Sequence, residues 1–600
     1  MFDCVRLRAA AIALLALSIC GCAWAEVRPR VSVDASAVII NGQQAIRFKV
    51  PNGSLSTQQR AEITARRIAQ LVSQGVDPKS IYAKPVGKEQ ARIYAGDTMI
   101  CIATSGDARA AHTTPIYLAD SWASNVRHLL LMPPIVLETQ ELLVPLGENR
   151  LLTVGGAAMG PIYARVANEE VAVVSVDSEG RVVQVLGRQL GETILELSVE
   201  GERAQAKVVV MKYAGRAPGV CSAEVTGSPC PAEFIAYAAD QAILGAAILE
   251  PGARVEVSNL QPTGGALGEG GVRRLEALVK ISGEGHIPYS SRTSVDVVNI
   301  PMPPDDVDLL FYSNNPERLE KYQTLFAGRL GPDETTRVLY HHQNTMGKRA
   351  HLIVEMINSG DIPARLRVTR GISGPLVDTV LVGYIAGKGF LKNCANNVSV
   401  IDTIPPRSRL VLVSDFLKDK ETASGILQIR QLMGDDVYLR ITAAQPWVDD
   451  VSMGTIAAAP NPVMLQLSDH IYPSPLKLLE AGYVVGERWA FIPIGNHALD
   501  DSNAQKKLYG NYGVTYDINV TLENPTSQTK KVSVMFDPTA GLASGVFIID
   551  GNFVLTKYAR PPSEVSLASY SLRPGETRDV RIVTVPLAGS NYPATLVVRS

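Results

Sequence analysis

The chain has 600 residues, 46% of them hydrophobic and 19% charged, and 57 Lys and Arg against 59 Asp and Glu leave a formal net charge of −2. That balance excludes the concentrated basic face that nucleic acid requires. The length is several times that at which a single core stops growing, so about four or five domains are expected.

The first 25 residues read as an export signal. Arg6 and Arg8 precede an unbroken apolar run from Ala9 to Ile19, and Ala23-Trp24-Ala25 supplies a small-x-small cleavage pattern before Glu26. The run is too short to remain as a bilayer span, and no later stretch reaches about 18 uninterrupted apolar positions. A second route is open, because Ile19-Cys20-Gly21-Cys22 puts a small residue before a cysteine and makes Cys22 a candidate lipidation site. The expected location is the periplasm or cell surface, with any membrane attachment at the N-terminus.

Residues 26–133 predict an α+β domain of order ββαββα. Ala37 to Ile40, the turn Asn41-Gly42 and Ala45 to Val50 form a hairpin, since Asn-Gly tolerates the positive φ of a tight turn. Ser56 and Gln59 fit a capping box, with Ala61, Ala65, Ile68 and Val72 on one helical stripe. A second hairpin turns at Gly96-Asp97. Thr114-Pro115 then starts a helix with Ala119, Trp122, Val126 and Leu129 on one face. The elements Gln59-Arg60-Ala61-Glu62 through Leu71 and Leu118-Ala119-Asp120-Ser121-Trp122-Ala123 resemble a periplasmic module found ahead of bacterial envelope proteins, including small mechanosensitive channels; the resemblance implies an envelope location.

Residues 134–214 alternate by twos, from Val171–Val176 through Arg181–Leu186, Thr193–Val199 and Ala206–Val210, with turns at Glu179-Gly180 and Glu200-Gly201. Short strands between glycine turns predict an Ig-like sandwich. Val171-Ala172-Val173-Val174, Val185-Leu186-Gly187 and Gly191-Glu192-Thr193 resemble both bacterial Ig-like group 2 modules and the β-domain at the start of pilus-secretion secretins. Residues 215–304 predict a further β domain, ending in a stiff linker at Pro301-Met302-Pro303-Pro304.

The remainder divides into sandwiches at 305–445 and 446–600, because its pattern repeats. His351 to Ser359 followed by Ala364–Val368 parallels Ile518 to Pro525 followed by Lys531–Val534, and each copy turns at an Asn, Asn358 or Asn524, whose left-handed tolerance suits a turn. This order resembles CARDB-type and fibronectin-III-like modules of bacterial surface proteins. A short helix is expected from Asn315-Pro316-Glu317. The predicted fold is thus mainly β, a multi-domain array of Ig-like sandwiches behind an N-terminal α+β domain.

Candidate chemistry is sparse. Cys221 and Cys230 bracket a turn-rich stretch and are the expected disulfide of an oxidising compartment, while Cys101 reads as a buried strand residue. Tyr340-His341-His342-Gln343 with His351 suggests a metal, yet adjacent strand residues point to opposite faces, so strand histidines are expected. The glycine-rich 264–271 loop before Arg273-Arg274 lacks a following helix and reads as a hairpin, not a phosphate cradle. Acidic clusters at Asp305-Asp306-Val307-Asp308, Asp435-Asp436, Asp449-Asp450 and Asp500-Asp501 match no calcium-loop spacing. Trp447, Trp489 and Tyr512 are the candidates for stacking on sugars.

No catalytic residues, metal ligands or cofactors are assigned. The expectation is a non-catalytic envelope or surface protein, a scaffold, adhesion or assembly factor whose partners are other envelope or appendage proteins or cell-wall glycan. A carbohydrate-binding or carbohydrate-processing protein and a metal-dependent hydrolase are the alternatives.

Overall fold

The computed structural model describes residues 28–177, 179, 181–261, 264–446 and 467–600, and the backbone of 454–457. The export signal with Cys22, and Trp447, Asp449 and Asp450, lie outside the described residues. The chain forms two compact units, one ending at Lys212 and the other running from Tyr213 to Ser600.

In the first unit each expected hairpin gains a third strand. Val31–Asp34 joins Ala37–Ile40 and Gln43–Arg47, and Ile81–Val86 joins Gln90–Ala95 and Thr98–Thr104, so two three-stranded sheets replace the ββ pairs. The alternation of Val31–Asp34 lasts only four residues, and Lys84-Pro85 interrupts the apolar character of Ile81–Val86. Asn41 and Gly42 both carry positive φ, as a tight turn demands. Helix α1 (Thr57–Ser73) begins at a complete capping box: the Ser56 hydroxyl accepts from the Gln59 N–H at 3.2 Å, and Gln59 Oε1 accepts from the Ser56 N–H at 2.9 Å. A short α2 (Ser105–Ala110) and α3 (Pro115–Leu130) follow, and Trp122 of α3 meets Phe48 edge-on at 5.2 Å in the core.

That core holds a buried ion pair the sequence reading missed. Arg60 Nη2 lies 2.7 Å from Asp107 Oδ2, and the Arg60 guanidinium rests on the Phe48 ring. Burial pushes the Asp107 carboxyl up, but hydrogen bonds from Arg60 and Thr104 outweigh it and hold the pKa below the usual range. The second half of this unit is a sandwich of two four-stranded sheets, formed by the strands the alternation predicts together with Val136–Leu137, Glu141–Pro145, Asn149–Gly155 and Ile162–Val166.

The second unit contains β1 (Val220–Thr226), helix α4 (Ala232–Ala246), β2 (Tyr289–Asn299), β3 (Thr335–Asn344), β4 (Ala364–Leu376), helix α5 (Thr379–Ala395) and β5 (Ser399–Ile404). An eleven-stranded sheet runs through β2, β1, β5, β4, Thr422–Met433 and β3, and reaches Ile471–Pro473 at its far edge. It is continuous across residues 304 and 305, where the sequence suggests a boundary. The proline segment is not a free spacer: Arg367 donates to Pro303 O at 2.6 Å and Asn397 to Met302 O at 2.6 Å. A five-stranded sheet containing Ala350–Asn358 and Ser408–Leu417 covers part of the long sheet, and two further sheets make the C-terminal sandwich.

Helix α5 lies between the long sheet and the C-terminal sandwich, and glycines set its approach. An ideal Cβ at Gly383 would fall 1.8 Å from Ala588 O, one at Gly387 2.1 Å from Leu587 Cδ2, and one at Gly371 of β4 2.2 Å from Ala386 O of α5. Arg337 crosses the same junction, donating to Gly513 O, Thr515 Oγ1 and Gln428 Oε1 at 2.9, 2.7 and 2.8 Å, with its guanidinium over Phe390. The helix expected from Asn315 is instead a turn followed by the two-residue strand Arg318–Leu319.

The repeat is real in hydrogen-bond terms, but for a different reason than φ. Asn358 Nδ2 donates to Ile362, Ile404 and Pro405 carbonyls while its Oδ1 accepts from Gly360 N; Asn524 donates to Gln528, Leu572 and Arg573 carbonyls and accepts from Thr526 N. Neither has positive φ. Each side chain staples its own turn to a distant strand. Asn344 does the same with Lys348, Leu417 and Met346.

Candidate functional site

The histidines do not converge. His341 is fully buried against Gly589 and neither ring nitrogen has a hydrogen-bond partner; burial drives its pKa down to about 3. His342 bonds Ser313 Oγ and Pro316 O, both at 2.9 Å, and burial lowers it to about 4. His351 bonds Ser414 Oγ and stacks on Phe416 at 4.1 Å. Among the described residues no three His, Cys, Asp or Glu side chains gather where they could hold a metal. Of the acidic clusters, Asp305 pairs with Arg367 and Arg430 at 3.0 and 2.8 Å, Asp436 with Arg329 at 2.7 Å, and Asp501 accepts from the N–H groups of Gln505 and Lys506.

Cys221 and Cys230 are separate thiols, which corrects the expected disulfide. The residues between them are largely strand β1, not a loop. Extended chain from Cys221 to Thr226 spans roughly 17 Å, against the approximately 4.4–6.8 Å between Cα atoms that a disulfide tolerates. Cys230 lies past the far end of β1, in a bridge with Leu267 that folds the glycine-rich segment back on itself. Burial pushes Cys221 up to about 11 and Cys230 to about 12.

Of the three proposed stacking aromatics, Tyr512 is engaged internally, donating to Ser590 O at 2.9 Å. Trp489 is 46% exposed beside Phe491, 56% exposed, with the Arg599 guanidinium over its ring at 4.5 Å.

One concavity of the second unit was not read from the sequence. β1 and β5 pair antiparallel only from Thr226↔Ser399 to Glu224↔Ile401; beyond that they part, while β1 stays paired with β2 and β5 with β4. The gap between Ser222-Ala223 and Asp402-Thr403, roofed by α4, is a cleft of about 360 Å³. At its mouth Arg365 of β4 forms an ion pair with Glu224 of β1. Inside it lies the Asp402 carboxyl, 9% exposed, and no hydrogen bond reaches it from any described residue. Burial pushes that carboxyl up to about 6, with Arg370 pulling it back. Gln241 of α4 also lines the cleft, is 4% exposed, and its Oε1 has no partner. Glu224, Arg365 and Asp402 went unnoticed because they lie far apart in sequence and α4 was not foreseen.

Residues 37–131 match a family model described as a domain of unknown function (DUF8459). No curated protein matches the sequence. Among solved structures, domains 4 and 5 of the S-layer protein SbsC share 17% identity over 22% of this chain and 73% of that one, with a TM-score of 0.13. The fibronectin(III)-like modules of CbhA from Clostridium thermocellum share 14% over 28% and 94%, at 0.15, and the titin Ig tandem A164-A165 shares 11% over 28% and 97%, at 0.12. None of these scores is high enough to assign an activity or a partner.

Proposed function

We propose that the chain is an exported, non-catalytic surface protein serving as a scaffold, adhesion or assembly factor. The observation that supports this reading is the junction in the second unit, where one sheet, the glycine contacts of α5 and the buried Arg337 fasten the C-terminal sandwich to the body ahead of it. Such a body holds its loops at fixed spacing, as a scaffold must. A role accessory to pilus or secretion machinery is the finer form of the proposal, supported by the secretin-like motifs of residues 134–214.

A pull-down from solubilised envelope, with parallel peptidoglycan and polysaccharide captures, tests this. Recovery of specific protein partners, appendage components above all, agrees with the reading; recovery of glycan alone overturns it. Trp489 and Phe491, exposed side by side, favour carbohydrate binding as the second reading.

A further inference from the structure

The cleft between β1 and β5 holds two acceptors that its own donors, Arg365, Ser222 and Thr403, do not reach. Asp402 and Gln241 line a common space, both more than nine-tenths buried; the Gln241 Oε1 is enclosed without a partner, and no hydrogen bond between described residues reaches the Asp402 carboxyl. The Gln241 amide nitrogen is turned to Asp240, 3.5 Å away. Buried polar atoms are ordinarily satisfied, so two orphaned acceptors sharing one cavity mark the place of a missing donor. The charge arrangement agrees. Arg365 pairs with Glu224, and Arg370 acts on Asp402 only from beyond ion-pair distance, so the Asp402 carboxylate has no cation in direct contact and the cleft has a place for one. Apart from Ser222 and Thr403 the remaining walls are mostly apolar, with Ala223, Ala238, Ala242, Ile401 and Leu410 leaving room for an alkyl stem behind a charged head.

We propose that this cleft is a binding site for a primary ammonium group on an aliphatic chain, such as a lysine side chain or a free alkylamine, with Asp402 and Gln241 accepting its N–H bonds. An ammonium group brings three donors and no acceptor, matching the unsatisfied set, and its methylene stem suits the alanine wall. A quaternary ammonium carries the same charge without a donor, and the site rejects it.

The test uses the full chain, titrated by calorimetry at about 10 mM ligand with n-butylammonium, with a blocked lysine peptide (acetyl-Gly-Lys-Gly-amide), and with tetramethylammonium; a single buried charge pair predicts a Kd on the order of 1 mM. Binding of n-butylammonium alone points to a free amine, and binding of the peptide to a lysine-bearing partner; either supports the proposal provided tetramethylammonium does not bind. Asp402→Asn, nearly isosteric, lowers the affinity at least about tenfold, and Gln241→Leu lowers it by less. Should Asp402→Asn melt early, Gln241→Leu and the tetramethylammonium comparison still decide. Affinity also falls roughly tenfold between about pH 7 and pH 5 as Asp402 gains its proton, in the field of Arg370, Arg365, Glu224 and Asp240. No binding of either amine, equal binding of tetramethylammonium, or unchanged affinity in both variants overturns the proposal.

Discussion

Replacing Gly383 and Gly389 of α5 by alanine, one at a time, separates helix propensity from interdomain packing. In an exposed helix either change stabilises by about 1 kcal/mol, because glycine loses more backbone entropy than alanine on folding. At Gly389 an added Cβ meets only Gly371 Cα, at an ordinary 3.5 Å, so Gly389→Ala keeps that gain. At Gly383 the added carbon would sit 1.8 Å from Ala588 O, and backbone must move well over an ångström to admit it. Overpacking of that kind costs about 1–3 kcal/mol or more, and the helix cannot retreat because Gly371 meets Ala386 O and Phe390 N on its other side. The net expectation is about 2 kcal/mol of destabilisation for Gly383→Ala against a small stabilisation for Gly389→Ala, read from urea unfolding followed by near-ultraviolet circular dichroism. Two substitutions shifting stability in the same direction by similar amounts would refute the wedge geometry.

Asn524→Ala removes the bonds to three carbonyls and the one from the Thr526 N–H at a fully buried position, and should cost roughly 2–4 kcal/mol; Asn524→Asp, which cannot donate, should not rescue it in thermal melts. His341 holds its neutral form, its folded pKa of about 3 lying below the unfolded 6.5, so the unfolded chain binds more protons between those values and stability falls as pH drops through that window. His341→Leu should therefore gain about 2 kcal/mol on the wild type between pH 7 and pH 5 in urea titrations, and parallel curves would contradict it. Asp107→Ala strands the Arg60 guanidinium in the first-unit core and should cost about 3–5 kcal/mol, detectable as an early transition in a melt followed by Trp122 fluorescence.

The strands were legible wherever one face meets solvent, as in Thr193–Val199, because alternation then survives in the sequence. Strands β3 and Ala350–Asn358 bury nearly every position; the second showed through the repeat around Asn358, and β3 only as the strand that carries His341 and His342. The two helices of the second unit were invisible for opposite reasons. Alanine and apolar residues surround α4 on most sides and leave no clean polar face, whereas α5 carries Gly383, Gly387, Gly389 and β-branched Val380 and Val382, which local propensity counts against a helix. Only the neighbouring sandwich explains those glycines. The same holds for the candidate cleft: Asp402 is unremarkable until β1 and β5 are seen to part beside it. The disulfide failed because spacing in sequence says nothing of the strand between Cys221 and Cys230.

The strand Ala594–Arg599 lies inside its sheet, with Ala490–Ile494 on one side and Lys530–Asp537 on the other. A tension applied at Arg599 along the axis of the strand therefore cannot open this sheet like a zipper, one rung at a time. It must slide a strand lengthwise past two neighbours and break both ladders together. Mechanical resistance at that end is thus set by shear of the whole strand, and should yield abruptly, at a force well above that of a strand peeled from an edge.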